Sequence, residues 1–154
     1  MELDDATEFA GYIAHAPNRL PVAMPLEDGR YLYLVQTICL RRTEKFLTTL
    51  EYRYAYQAAP GADSWIVRWE YQREPGEDYP YPRAHLHVNS SPDSYAGRKR
   101  FNELHIPTGR VTVEDVCRHL VDEHAVGPVS SDWRETLRRT EADFREIQRK
   151  RFAD

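Results

Sequence analysis

An α+β domain, with one antiparallel sheet of about five strands and helices packed on one of its faces, is the fold class this sequence predicts. Three observations carry that reading. Period-two alternation of apolar and polar residues fills the middle of the chain, helical periodicity takes over in the last third, and proline and glycine punctuate the boundaries. The 154 residues, 41% apolar and 30% charged, suit a single domain that buries most of its apolar surface without staples.

The elements follow in order. Leu3, Ala6, Phe9, Ala10 and Ile13 recur at helical spacing and predict a short amphipathic helix ending before Pro17. Pro17, Pro21 and Pro25 make an extended linker that completes the segment 1–29, and Asp28-Gly29 turns into the first strand. Within the sheet, expected over 30–107, the run from Tyr31 to Arg42 is rich in β-branched and aromatic residues. From Leu50 to Tyr56, Tyr52, Tyr54 and Tyr56 share a face with Leu50. From Trp65 to Gln72, Trp65, Val67, Trp69 and Tyr71 oppose Ile66, Arg68, Glu70 and Gln72. Pro60-Gly61 favours a hairpin between these two strands. A proline-rich loop with Tyr79-Pro80-Tyr81-Pro82 leads into a strand holding His85 and His87, and a further strand holds Glu103 to Ile106. The last third, 112–151, predicts two helices. Thr112 and Asp115 form a capping box ahead of Val113, Val116, Cys117, Leu120 and Val121; a Ser130 or Ser131 cap precedes Trp133, Leu137, Phe144 and Ile147.

Composition narrows the function classes. A formal charge of −4 argues against nonspecific coating of nucleic acid, while leaving room for a local phosphate-binding patch. Cys39 and Cys117 are far apart in apolar stretches that look buried, which argues against a disulfide framework or a Cys-x-x-Cys metal pair. No apolar run approaches membrane-spanning length and the start, Met1 to Asp5, is acidic where a signal peptide would be basic. The expectation is a cytoplasmic protein with no membrane partner.

The chemistry-bearing residues gather on one predicted sheet face. In Arg83-Ala84-His85-Leu86-His87-Val88, alternation turns Ala84, Leu86 and Val88 inward and Arg83, His85 and His87 to the other side. His105, between Leu104 and Ile106, follows the same rule. With Arg53, Arg68, Glu51 and Glu70, that polar face is expected to be solvent-exposed. Two chemistries fit it. Imidazoles that titrate near neutral pH can serve as general acid and base on a phosphodiester: His85, His87 and His105 would be catalytic, Arg53, Arg68, Arg83 and Arg110 would bind the phosphate, and no cofactor would be needed. Alternatively, the same three histidines hold zinc with an open coordination position, as in metal-dependent hydrolases, with Glu70 or Glu103 as supporting partner or base. A non-catalytic interaction module accounts for the same charged and aromatic surface with no chemistry. His119 and His124, on the first C-terminal helix, read as solvated and as a dipole-offsetting residue, respectively.

A family likeness adds to this. The succession Tyr52-Arg53-Tyr54, then Ile66-Val67-Arg68-Trp69-Glu70-Tyr71, then a proline-containing loop into Arg83-Ala84-His85-Leu86-His87, then a helix from Val113 resembles the TumE family of small toxins from prokaryotic toxin–antitoxin modules. The likeness spans residues 50–125. It implies a sheet with a histidine-containing segment followed by a helix, a functional role for His85 and His87, and a cognate antitoxin as partner. Joined to the acid–base chemistry, the expectation is a toxin-like protein acting on RNA or another phosphate-bearing substrate.

Overall fold

Three tyrosines on one strand organise the fold. Tyr52, Tyr54 and Tyr56 are all buried, and together with Trp69, Tyr71, Leu32 and Leu34 they form the sheet side of the core. The structure, a computed structural model, describes residues 6–12, 22–41, 46–61, 63–89, 95–96, 99–100 and 103–149. Among these residues the elements are β1 (Ala6–Tyr12), β2 (Met24–Pro25), β3 (Tyr31–Arg41), β4 (Phe46–Gln57), β5 (Trp65–Gln72), β6 (Ala84–Val88), β7 (Tyr95–Ala96), β8 (Lys99–Arg100), β9 (Ile106–Pro107), α1 (Val113–His124) and α2 (Trp133–Arg149).

One antiparallel sheet runs in the order β1-β3-β4-β5-β6-β9, with β2 pairing the start of β3; β7 and β8 form a separate two-stranded ribbon. The helices cover one face. Val116 and Leu120 of α1 are buried against the sheet, and Val126 joins them just past the helix end. Tyr52 and Tyr54 stack with ring centroids 4.4 Å apart. Their hydroxyls are satisfied, as buried phenols require: Val111 N–H donates to Tyr52 Oη at 2.8 Å, and Tyr54 Oη donates to Gln36 Oε1 at 2.7 Å. The expected Thr112/Asp115 capping box launches α1, with both reciprocal bonds present.

The predicted α+β class and antiparallel sheet are observed, and three expectations are corrected. The N-terminal helix is absent: Ala6–Tyr12 is a strand, paired residue for residue with β3 from Ala6↔Arg41 to Tyr12↔Val35. Thr7, Gly11 and Tyr12 are weak helix formers, and the eleven-residue β3 offers an entire ladder of backbone partners. The remaining ends of that predicted segment, 1–5 and 13–21, lie outside the described residues. The last strand is shorter and later than expected, Ile106–Pro107 in place of 103–106. Third, Trp65 is not on the aromatic face. The register breaks between Tyr56 and Gln57, so that Tyr56 pairs Val67 while Gln57 pairs Trp65. Ile66 is the extra residue of this bulge; it packs on the core beside Val67, and Trp65 is turned to the other face.

The helix side holds one further departure. His119, expected in solvent, sits edge-on to Trp69 with centroids 5.4 Å apart, and His124 packs on Tyr56 at 4.8 Å.

Candidate functional site

Register alone brings most of the site together. Val35, Arg53, Glu70, His85 and Pro107 form one cross-strand row, and Tyr33, Ala55, Arg68 and His87 form the next. Extending the β6–β9 pairing one residue beyond Leu86↔Ile106 sets His105 opposite His87. Directly opposed side chains on one face lie close enough to interact. The ring centroids are accordingly 4.3 Å apart for His87 and His105, 4.9 Å for His85 and His87, and 5.0 Å for His85 and His105. One ligand atom from each ring lies within 4.8 Å of the other two.

The expected exposure of this face does not hold at the histidines. His85 is 1% exposed and His87 3%, with His105 half-buried. Alternation tells which face a residue takes and not what lies over it. Here the 79–82 loop, His105 and the displaced Trp65 provide the cover. Tyr81 stacks flat on His105 with centroids 3.6 Å apart and planes 6° from parallel, and Tyr79 meets Tyr81 edge-on. Trp65 meets the His87 ring at 5.8 Å and carries the Arg68 guanidinium on its face at 4.8 Å.

Hydrogen bonding fixes the tautomer of His85. Its Nδ1 lies 2.7 Å from the carbonyl oxygen of Pro82, which can only accept, so Nδ1 carries the hydrogen. Its Nε2 faces Glu70 Oε2 at 3.5 Å. His87 Nε2 approaches the same oxygen at 3.2 Å. The other carboxylate oxygen, Oε1, accepts from Arg53 Nε at 2.7 Å and stands 3.4 Å from Arg68 Nε, a charge contact and not a hydrogen bond. Burial pushes the Glu70 pKa up, but the His87 hydrogen bond and the Arg68 and Arg53 charges outweigh it and bring it down to about 2. Glu70 is therefore ionised at any neutral pH. Burial lowers Arg68 and raises Tyr79, beside the Glu70 charge.

A cavity of about 600 Å³ opens on this cluster, lined by His85, His105, Glu70, Arg53, Arg68 and the rings of Tyr33, Tyr79 and Tyr81. That size holds a small molecule or one unit of a polymer. The four expected phosphate-binding arginines separate into two groups. Arg53 and Arg68 are in the site. Arg83 is exposed and contributes its backbone carbonyl to Gln72. Arg110 lies over the ring of Tyr71, on the helix side of the sheet. Glu103 is exposed at the head of the segment that delivers His105. Two contributors went unforeseen. Trp65 depends on a bulge that periodicity hides, and the Pro82 carbonyl depends on a three-residue turn whose only trace in the sequence is the proline itself.

No helix among the described residues is long and apolar enough to cross a membrane. No protein-family model matches the chain, and neither a curated protein nor a solved structure shows significant similarity to it.

Proposed function

We propose that the protein is a metal-dependent hydrolase in which His85, His87 and His105 hold a zinc ion. One observation carries the reading: three imidazoles, those of His85 and His87 buried, each bring one ligand atom within 4.8 Å of the other two, beside the Glu70 carboxylate. A buried carboxylate beside convergent imidazoles favours a cation among them, and a metal ion provides one. The donor set suits it, since neutral imidazoles are the commonest zinc ligands and a ring whose second nitrogen donates to a backbone carbonyl is pre-oriented for binding. A point equidistant from three atoms at most 4.8 Å apart is within about 2.8 Å of each, so movements of under about 1 Å reach the zinc–nitrogen distance of about 2.0–2.1 Å. When bound, zinc supplies Lewis acidity and activates water near neutral pH. Arg53 and Arg68 then favour an oxyanion substrate such as a phosphodiester, and the tyrosine rings offer a stacking wall.

A second reading uses the same residues without metal: His85, His87 and His105 as acid and base on RNA, in a TumE-like toxin paired with an antitoxin. The His87–Glu70 hydrogen bond favours it, because a carboxylate behind an imidazole holds the ring in one orientation. Burial weighs against it, since His85 and His87 have almost no surface through which to meet a substrate.

Metal analysis of the purified protein separates the two. The expected result is one zinc per chain, lost on His87→Ala, and hydrolysis of a bis(nitrophenyl) phosphate or RNA substrate that stops with a chelator and returns with zinc. Hydrolysis that survives complete metal removal would select the metal-free chemistry.

A further inference from the structure

We infer that Glu70 is the fourth ligand of the centre, binding the metal through Oε2 alone because Arg53 and Arg68 hold its other oxygen. The inference rests on the three-histidine reading and extends it to a residue that alternation had left as a supporting partner or a base.

Spacing separates a ligand from a base. Two ligands of one tetrahedral zinc ion, each about 2.0–2.2 Å from it, are about 3.3–3.5 Å from each other. Glu70 Oε2 lies 3.2 Å from His87 Nε2 and 3.5 Å from His85 Nε2. Both match edges of such a polyhedron, so Oε2 can join these two nitrogens around an ion with little movement, whereas a base acting on a metal-bound water would sit one water further out.

The arginines determine how many oxygens Glu70 can give. A carboxylate bound through both oxygens would occupy two positions on the ion. Oε1 instead receives the Arg53 Nε hydrogen bond at 2.7 Å and the nearby Arg68 charge, while Oε2 faces the histidines. Glu70 sits in the middle of the row that joins Arg53 to His85, so the strand register itself sends one oxygen to each neighbour. Single-oxygen binding lets the ion take a fifth ligand from the cavity, which catalytic zinc sites do as the substrate reacts. It also answers the difficulty of two guanidinium groups beside a cation, because the Glu70 charge stands between them. With Nε engaged on Glu70 and the side chain 60% exposed, Arg53 keeps its terminal N–H groups on the cavity side for an incoming oxyanion.

The test loads apo protein with zinc and, in parallel, with cobalt(II), whose d–d absorption reports the number and type of ligands. Wild type is expected to bind one ion with the intense visible bands of a low-coordinate site. Glu70→Gln should weaken zinc binding at least a hundredfold and alter the cobalt spectrum. Arg53→Met should keep the stoichiometry, weaken zinc about 10–100-fold as loss of an outer-shell partner does, and shift the bands as Glu70 gains freedom to bind through both oxygens. Unchanged affinity and spectrum in Glu70→Gln would overturn the inference while leaving the three histidines as the site; no stoichiometric metal in wild type would remove the three-histidine reading first. Should Glu70→Gln fail to fold, anomalous diffraction from zinc-loaded wild type decides. Oε2 at about 2.0–2.2 Å from the ion supports the assignment, and Oε2 separated from it by a water overturns it.

Discussion

At the scale of single residues, the two halves of the sheet use histidine in opposite ways. His85 and His87 are buried beside the Glu70 carboxylate, whereas His124 is placed where a proton is unfavourable. Burial, then His119, then Arg30 lower its pKa, and Glu123 and Asp28 counteract them in part. Tyr56 faces it from β4, with its own hydroxyl engaged by Asp28 at 2.5 Å and Arg30 at 2.9 Å. A folded-state pKa below the unfolded value contributes stability that is present above the ordinary histidine pKa of about 6.5 and is lost as pH falls through the lowered one. The urea midpoint should therefore fall on acidification, and His124→Gln should flatten that fall. Unfolding curves collected at a series of pH values for both proteins check this. The comparison is between slopes, so the packing lost with the ring does not enter; parallel slopes would show that His124 is not the responsible group.

Among the elements, α1 is the part whose origin is simplest to trace, and its cap is open to a direct test. Thr112 Oγ1 accepts from Asp115 N–H at 3.1 Å while Asp115 Oδ2 accepts from Thr112 N–H at 3.0 Å. Thr112→Ala removes half of that exchange and should cost about 1 kcal/mol, measured by chemical denaturation; Thr112→Ser should restore most of it. The helices and the central strands were legible in the sequence because each carries its own periodicity over many residues. β1 was not, because Ala6 to Tyr12 has spacing compatible with a helix, and only the presence of an unpaired edge on β3 decides for a strand. β9 was legible in place but not in bounds, since two residues carry no period, and what fixes them is pairing with β6. The site was half legible. Alternation grouped His85, His87, Arg53, Arg68 and Glu70 correctly, but it also assigned Arg83, which a loop leaves exposed; Arg110, expected at the phosphate from its place before α1, lies on the far face.

Across the whole molecule the sheet separates stability from chemistry. Its helix side holds the tyrosine core, and α2 is fastened there by Arg118 to Glu141, Arg134 to Asp122, and Gln148 to Thr49. The Glu141 carboxylate is 12% exposed and also receives Arg145, so it is the junction of that fastening. Glu141→Ala should lower the melting temperature of the protein by several degrees, a loss of order 1–2 kcal/mol for a half-buried, hydrogen-bonded ion pair. On the proposed zinc reading, metal stoichiometry should not change, because Glu141 lies on the other side of the sheet from His85, His87 and His105. Thermal unfolding together with elemental analysis checks both halves; loss of metal in a folded Glu141→Ala protein would contradict the separation. The bulge at Ile66 has a consequence for how the site is written into the chain. Within a strand, membership of a face is a matter of odd and even: Arg68 and Glu70 share one parity, His85 and His87 another, and Trp65 belongs to the first pair's face only because one extra residue inverts the count. A regular ladder that paired Ile66 with Gln57 would restore the count, return the indole to the core, and strip the His87 ring and the Arg68 guanidinium of their shared aromatic wall without altering any of the charged groups themselves.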